Sequence, residues 1–138
     1  MTAPLYTRDI LRLAASIPGQ RSFDAIDGPE FRSPTCGSRV AMRVSLDADG
    51  RVTAVEQAVE ACAFGQASAA LVGKSAVGLS YAEADDALAR VDAWLSGDGT
   101  EPWPGMVVLE PARARRGRHG AILLPFRALV AAIARANG

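Results

Sequence analysis

The chain has 138 residues, of which 49% are hydrophobic and 22% charged, as in one soluble globular domain, and we assign residues 1–138 to a single domain. Its formal net charge is zero, so no overall field favours nucleic acid or an anionic membrane. No apolar run approaches the roughly 18 residues that span a bilayer, and the N-terminus lacks a secretory signal pattern. These features predict a cytoplasmic protein that binds neither nucleic acid nor membrane.

The first predicted element is a helix from Thr7 to Ser16. Its apolar residues fall on one stripe, Thr7 can cap its start, and Pro18 and Gly19 end it. The next segment, Gln20 to Gly37, is rich in Gly, Pro, Ser and Asp. It predicts a loop with a short extended piece at Glu30 to Ser33.

Alternating apolar and polar residues from Arg39 to Leu46 predict a strand with one buried and one solvated face. Asp47 to Gly50 has the composition of a tight turn, and a second strand follows from Arg51 to about Glu60. The two strands predict an antiparallel hairpin. Alternation in the second strand is imperfect, and a bulge near Val55 would account for it.

Three helices are predicted after the hairpin. Cys62 to Val72 is nearly all small residues, which suits close packing, and Tyr81 to Leu95 follows a capping box of Ser80 and Glu83. Gly120 to Ala136 is also helical in pattern, but Pro125 sits inside it, so the regular helix is expected to begin near Leu124. The fold class is therefore α+β: a small antiparallel β-sheet of about three strands with helices packed on one face.

The two cysteines are the first candidates for chemistry. Cys36 lies in a turn before a strand, and Cys62 lies where a strand gives way to a helix, with the hairpin between them. A hairpin returns the chain close to its start, so both sulfur atoms are expected at one end of the sheet. Thiolates bind soft metals and exchange sulfur, whereas a free cysteine can also be simply a small buried apolar residue.

His119 is the sole histidine of the chain. As a third ligand beside Cys36 and Cys62 it would suit zinc or an iron–sulfur centre, and the alternative is a solvated or capping residue. Four arginines lie just before it: Arg113, Arg115, Arg116 and Arg118. They fit either a solvated loop or a docking patch for an acidic partner protein.

The order of these motifs resembles the IscU/NifU N-terminal domain family, which includes SufU-like iron–sulfur scaffolds. The resemblance covers most of the chain. It is carried by Ser33-Pro34-Thr35-Cys36-Gly37, the hairpin, Ala61-Cys62 with its small-residue helix, and Gly78 to Ala84.

The resemblance implies a ligand set and a role. Members of this family use three cysteines and an aspartate to assemble an iron–sulfur cluster or hold zinc, and they take sulfur from a cysteine desulfurase. Cys36 and Cys62 match the first two cysteines. Ser38 stands where the aspartate is expected and Gly120 where the third cysteine is expected, so two ligands are missing.

The function that follows from the resemblance is a scaffold-like or accessory protein of iron–sulfur assembly, and not an enzyme. It would bind a labile [2Fe–2S] cluster or zinc through Cys36, Cys62 and His119. The alternatives are a metal-free interaction protein of the same fold and a persulfide-accepting sulfur carrier. Expected partners are a cysteine desulfurase and other assembly proteins, and the chain is expected to be a monomer or weak homodimer.

Overall fold

The computed structural model describes residues 7–33 and 37–138. Within them the chain forms three strands, four α-helices and two 3-10 helices. The strands are β1 (Glu30–Arg32), β2 (Arg39–Leu46) and β3 (Val52–Glu60). The α-helices are α1 (Arg8–Ala14), α2 (Ala63–Ser75), α3 (Tyr81–Leu95) and α4 (Arg116–Asn137), and the 3-10 helices are Phe23–Ala25 and Met106–Ala112.

The three strands form one antiparallel sheet in the order β1-β2-β3, as the α+β prediction requires. The hairpin pairs Arg39 with Glu60 at its open end. Its register shifts between Ser45, which faces Ala54, and Leu46, which faces Val52. Thr53 is therefore the extra residue of the bulge, which confirms the predicted bulge in the second strand two residues before Val55; Val55 itself pairs regularly with Val44.

The helices cover one face of the sheet. Val40 and Met42 of β2 point into the main core, where they meet Phe64 of α2 and Ile122 and Phe126 of α4. The alternation predicts that the other face is solvated, but part of it is buried. Ala41 of β2 and Ala58 of β3 form a small second cluster with Ile26, so Ala41 is buried. The loop before β1 supplies this cover, which the strand pattern alone does not contain.

Two predicted helix starts are confirmed in detail. The Thr7 hydroxyl accepts a hydrogen bond from the Ile10 N–H at 3.2 Å. Ser80 and Glu83 form both bonds of the capping box, at 3.2 and 3.0 Å, and Arg51 lies 2.6 Å from the Glu83 carboxylate. The hydrogen bond from the Ser80 backbone N–H is the largest cause that lowers the pKa of Glu83, and the hydrogen bond from Arg51 is the next.

The last helix differs most from its prediction. α4 begins at Arg116, eight residues before Leu124, and Pro125 lies within it. Proline lacks an N–H, so it leaves the Ala121 carbonyl without its helical donor. The neighbouring Ile122 carbonyl accepts a 2.6 Å hydrogen bond from the Ser68 hydroxyl of α2. α2 therefore bonds to α4 within the turn that Pro125 interrupts, and the helix runs through a proline that the isolated sequence would place near a helix start.

α4 is also long and apolar enough to cross a membrane by length and composition. Of the apolar 18-residue segment of α4 that meets this test, 56% is buried inside the molecule. It packs on β2, α2 and α3, as the core helix of this fold.

The packing of α2 predicts a strong size limit at Ala67, which is 0% exposed. Ala67→Leu should lower the free energy of unfolding by about 1–3 kcal/mol, because the added carbons have no space. The matched control is Ala82→Leu on the exposed side of α3, which should change it by less than about 0.5 kcal/mol. Urea unfolding of both variants measures the difference. Equal midpoints would contradict tight packing of α2.

Candidate functional site at one end of the sheet

Four elements end or begin at the same end of the sheet. Arg32, Arg39 and Glu60 lie side by side across β1, β2 and β3. The residues just beyond them are Ser33, Ser38 and Cys62. We call this region, together with Gly120 at the start of α4, the sheet-end site. It is where the sequence predicts that chemistry-bearing residues meet.

The connection between β1 and β2 is held at both ends by backbone hydrogen bonds. The Ser33 N–H donates to the Ser38 carbonyl at 2.8 Å, and the Gly37 N–H donates to the Ser33 carbonyl at 3.1 Å. Gly37 has a φ of +71°, which favours glycine at this turn. Ser33 and Ser38 are both buried. Cys36 lies outside the described residues, so its predicted approach to Cys62 stays a prediction.

Cys62 occupies the N-cap of α2, at the strand-to-helix junction that the sequence predicts. Its thiol is free, its side chain makes no capping hydrogen bond, and the residue is half-buried. A thiol in this position is partly accessible from solvent.

Gly120 brings the start of α4 to the same site. A Cβ built on Gly120 would lie 3.2 Å from the Ser33 hydroxyl oxygen. Among the described residues, a side chain at this position would therefore meet Ser33 first, and that hydroxyl would have to shift slightly. The resemblance places the missing third cysteine here, and Ser33 takes up part of the room that it would need.

Gly65 positions Cys62 relative to α4. A Cβ on Gly65 would lie 2.7 Å from the Ala61 Cβ and 3.3 Å from the Ala121 carbonyl oxygen. Only glycine lets the first turn of α2 approach α4 this closely. Sequence reasoning named neither Ser33 nor Gly65 as functional. A glycine inside a helix of small residues was the available signal for Gly65.

His119 faces a different neighbour. Its Nε2 lies 3.0 Å from both the Ala112 and the Arg113 carbonyl oxygens. A carbonyl oxygen can only accept, so Nε2 carries the hydrogen, and in the neutral ring Nδ1 holds the free lone pair. The ring also lines an open hollow of about 850 Å³ beside Leu95, Ser96 and Gly97 at the end of α3.

The described contacts of His119 are thus with the 3-10 helix and not with Cys62. In the part of the chain that the structure describes, no three His, Cys, Asp or Glu residues group closely enough to hold a metal ion. Because Cys36 is not among these residues, the predicted ligand set of Cys36, Cys62 and His119 remains untested.

Arg39 borders the site on the outer face of the sheet. Its guanidinium lies 3.6 Å from the centroid of the Phe23 ring, and its Nε lies 3.9 Å from a Glu60 carboxylate oxygen. That Nε is buried and has no hydrogen-bond partner. Stacking on Phe23 and the nearby Glu60 charge therefore hold this cation in place. Glu60 lies two residues before Cys62 and is the acidic residue closest to Cys62 in sequence. Its carboxylate already has a counter-charge in Arg39.

The arrangement brings one accessible thiol near two buried hydroxyl residues and an empty side-chain position. Hydroxyls are weaker donors to zinc or iron than thiolate and carboxylate. The described residues of the site therefore supply one strong metal donor, Cys62.

Comparison with solved structures finds the same fold. The chain is similar to a NifU-like protein (N-terminal) from Brucella abortus, with a TM-score of 0.79, 28% identity, and coverage of 96% of this chain and 94% of that one. It also matches a putative iron–sulfur cluster assembly scaffold protein for the SUF system from Fervidobacterium islandicum AW-1. There the TM-score is 0.79, the identity 17%, and the coverage 91% and 93%.

A third structure, of a hypothetical protein, has a TM-score of 0.74 and 21% identity over 92% of this chain and 95% of that one. At 17% and 21% identity, the last two matches establish a common fold only. No family model and no curated protein matches the sequence.

The role of Gly65 gives a direct test. Gly65→Ala should destabilise the fold by about 1–3 kcal/mol, because its methyl group would press the start of α2 away from α4. Gly117→Ala is the matched control: it is also a helical glycine, but its Cβ would meet nothing within 4 Å. That control should stabilise the protein by about 0.4–1 kcal/mol through reduced backbone entropy of the unfolded chain. Chemical unfolding of the two variants should therefore show shifts of opposite sign.

Proposed function

We propose that the chain is an IscU/NifU N-terminal, SufU-like protein and acts as a scaffold-like or accessory protein of iron–sulfur cluster assembly. The observation that carries the proposal is similarity over nearly the full length to a NifU-like N-terminal protein, together with a half-buried free thiol at the sheet-end site. Residues 1–138 would form one domain that acts in the cytoplasm as a monomer or weak homodimer. It would have no enzymatic reaction of its own.

The proposed cargo is a labile [2Fe–2S] cluster, or zinc in its place, held by Cys36, Cys62 and His119. Such a site needs four donors, and these residues provide three. Ser38, Gln66 or a partner protein would supply the fourth. The neutral side chains of Ser38 and Gln66 are weak substitutes for aspartate or cysteine, so the cargo should be released easily. His119 would bind through Nδ1, because Nε2 donates to the Ala112 and Arg113 carbonyls.

A metal-free interaction protein is the second candidate, and one contact favours it. The Ser33 hydroxyl oxygen lies only 3.2 Å from where the Cβ of a residue at position 120 would stand, so the described part of this site leaves little room for a third cysteine. In that case the protein would retain the family's surface and bind assembly partners, a cysteine desulfurase first among them. A third candidate, a sulfur carrier, rests on the accessible Cys62 thiol. Its thiolate would attack the outer sulfur of the desulfurase persulfide, becoming Cys62 persulfide and releasing the desulfurase cysteine thiolate.

Anaerobic reconstitution separates these candidates. Wild-type protein incubated with iron and sulfide should acquire visible absorbance and acid-labile sulfide, and a mild chelator should remove both. Cys62→Ser, which preserves size, should abolish the signal while thermal melting shows a folded protein. A chain that takes up no metal but gains 32 Da after incubation with desulfurase and cysteine is a sulfur carrier. Binding to the desulfurase with neither change identifies an interaction protein.

Restoring the missing ligands tests the incomplete ligand set. Ser38→Asp combined with Gly120→Cys, and with Ser33→Ala to make room at position 120, should raise zinc affinity by at least about tenfold. Thiolate and carboxylate donors would then replace a hydroxyl and an absent side chain. Competition with a chromogenic chelator measures the affinities.

The matched control for this experiment is Ser45→Asp with Ala134→Cys. It introduces the same two ligand types in β2 and α4, at exposed positions away from the site. It should bind zinc no better than wild type. Wild-type affinity equal to that of the restored protein would reveal an unrecognised fourth ligand and contradict the incomplete set. If neither binds zinc, the two candidates without metal remain: the interaction protein and the sulfur carrier.

A further inference from the structure

The net charge of the chain is zero, but its positive and negative residues are unevenly distributed along the sequence. Residues 111–138 contain six arginines and no aspartate or glutamate, whereas residues 1–110 contain nine basic and fifteen acidic side chains. The C-terminal part, which includes α4, is therefore strongly positive within a neutral protein. Local charge of this kind directs association even when total charge does not.

Most arginines of the protein have an acidic partner. Eight of them form ion pairs within 4.0 Å: Arg21, Arg32, Arg39, Arg43, Arg51, Arg90, Arg113 and Arg135. Six arginines in the described chain have none, and three of these six stand together at residues 115–118. We call Arg115, Arg116 and Arg118 the α4 basic surface.

This grouping is unfavourable for the isolated protein. The three cations lie at the N-terminus of α4, where the helix dipole is positive, and the first turn of α4 contains no acidic residue. The nearest acidic residue earlier in the chain, Glu110, is already engaged by Arg113 at 3.3 Å. The local sequence therefore keeps three uncompensated charges that an external anion would stabilise.

The position of the α4 basic surface relates it to the sheet-end site. Gly120 follows Arg116 by four residues, about 6 Å along the helix, and lies against Ser33. Arg116 also lines the open hollow of about 850 Å³ that contains His119. A protein that reached Cys62 or Gly120 would have these arginines at the edge of its contact.

We propose that the α4 basic surface docks an acidic surface of the cysteine desulfurase that would supply sulfur at the sheet-end site, an inference that rests on the proposed function. A protein fits better than nucleic acid, because single-stranded nucleic acid binds to basic grooves with exposed aromatic rings. Trp94 and Trp103 are both buried, and the Arg113 guanidinium covers Trp94 at 4.6 Å from the ring centroid. The planar guanidinium group of arginine can donate two parallel hydrogen bonds to the carboxylate of an aspartate or glutamate.

The test compares two triple variants with the same change in net charge. Arg115→Gln, Arg116→Gln and Arg118→Gln together remove the α4 basic surface. The control, Arg8→Gln, Arg12→Gln and Arg127→Gln, removes the other three unpaired arginines, all exposed and on α1 or later in α4. Binding of each protein to the cysteine desulfurase of the same organism is measured by calorimetry at 50 and 300 mM salt. Thermal melting verifies that both variants fold.

Loss of three charge pairs should weaken desulfurase binding about tenfold at 50 mM salt, and the control should stay within about twofold of wild type. Higher salt should weaken wild-type binding and bring it near the variant. Equal affinities of the two triple variants would overturn the docking inference and leave the scaffold proposal standing. Wild-type protein that neither binds the desulfurase nor takes up a cluster or sulfur would overturn both. Binding of single-stranded RNA or DNA that depends on the same arginines, with desulfurase affinity unchanged, would assign the surface to nucleic acid instead.

Discussion

The close contact between the N-terminal halves of α2 and α4 is the constraint on which the rest of the site depends. Gly65 leaves room for the Ala121 carbonyl, and the Ser68 hydroxyl donates to the Ile122 carbonyl one residue further along α4. Pro125 leaves a carbonyl of this turn without its helical donor, so a polar contact from α2 is especially valuable here. The same contact decides how far Cys62, three residues before Gly65, lies from Gly120 and Ser33. Larger residues in α2 would separate the two helices and open the site.

Backbone contacts rather than ligand side chains hold this frame. The strand register aligns Arg32, Arg39 and Glu60, and two hydrogen bonds between main-chain groups close the connection between Ser33 and Ser38. Neither interaction requires an aspartate at position 38 or a cysteine at position 120. Ligand residues can therefore change while the fold persists, which is why similarity of fold and identity of cargo have to be argued separately.

The sequence predicted those features that a few neighbouring residues decide. The β2 strand, the capping box of Ser80 and Glu83, and the position of Cys62 at a strand-to-helix junction all follow from local pattern, and the structure confirms them. Features set by distant contacts were not predictable in this way. Ala41 is buried by a loop some fifteen residues earlier, and α4 begins before Leu124 and runs through Pro125 while it packs on α2. The side of α4 on which His119 lies was not predictable for the same reason, because it depends on the residue at which α4 starts.

Weak cargo binding and charge-directed docking are compatible in one small protein because they act over different ranges. Metal ligation requires donors in direct contact, so replacing one carboxylate or thiolate weakens it severely. Attraction between exposed charges extends over a Debye length of about 8 Å at physiological salt and tolerates changes of individual contacts. The α4 basic surface begins about 6 Å along the helix from Gly120, within that range. Under the proposed function, a chain with Ser38 and Gly120 in place of the family's ligands would still guide a partner to the sheet-end site, because the proposed docking arginines are separate from the proposed cargo ligands.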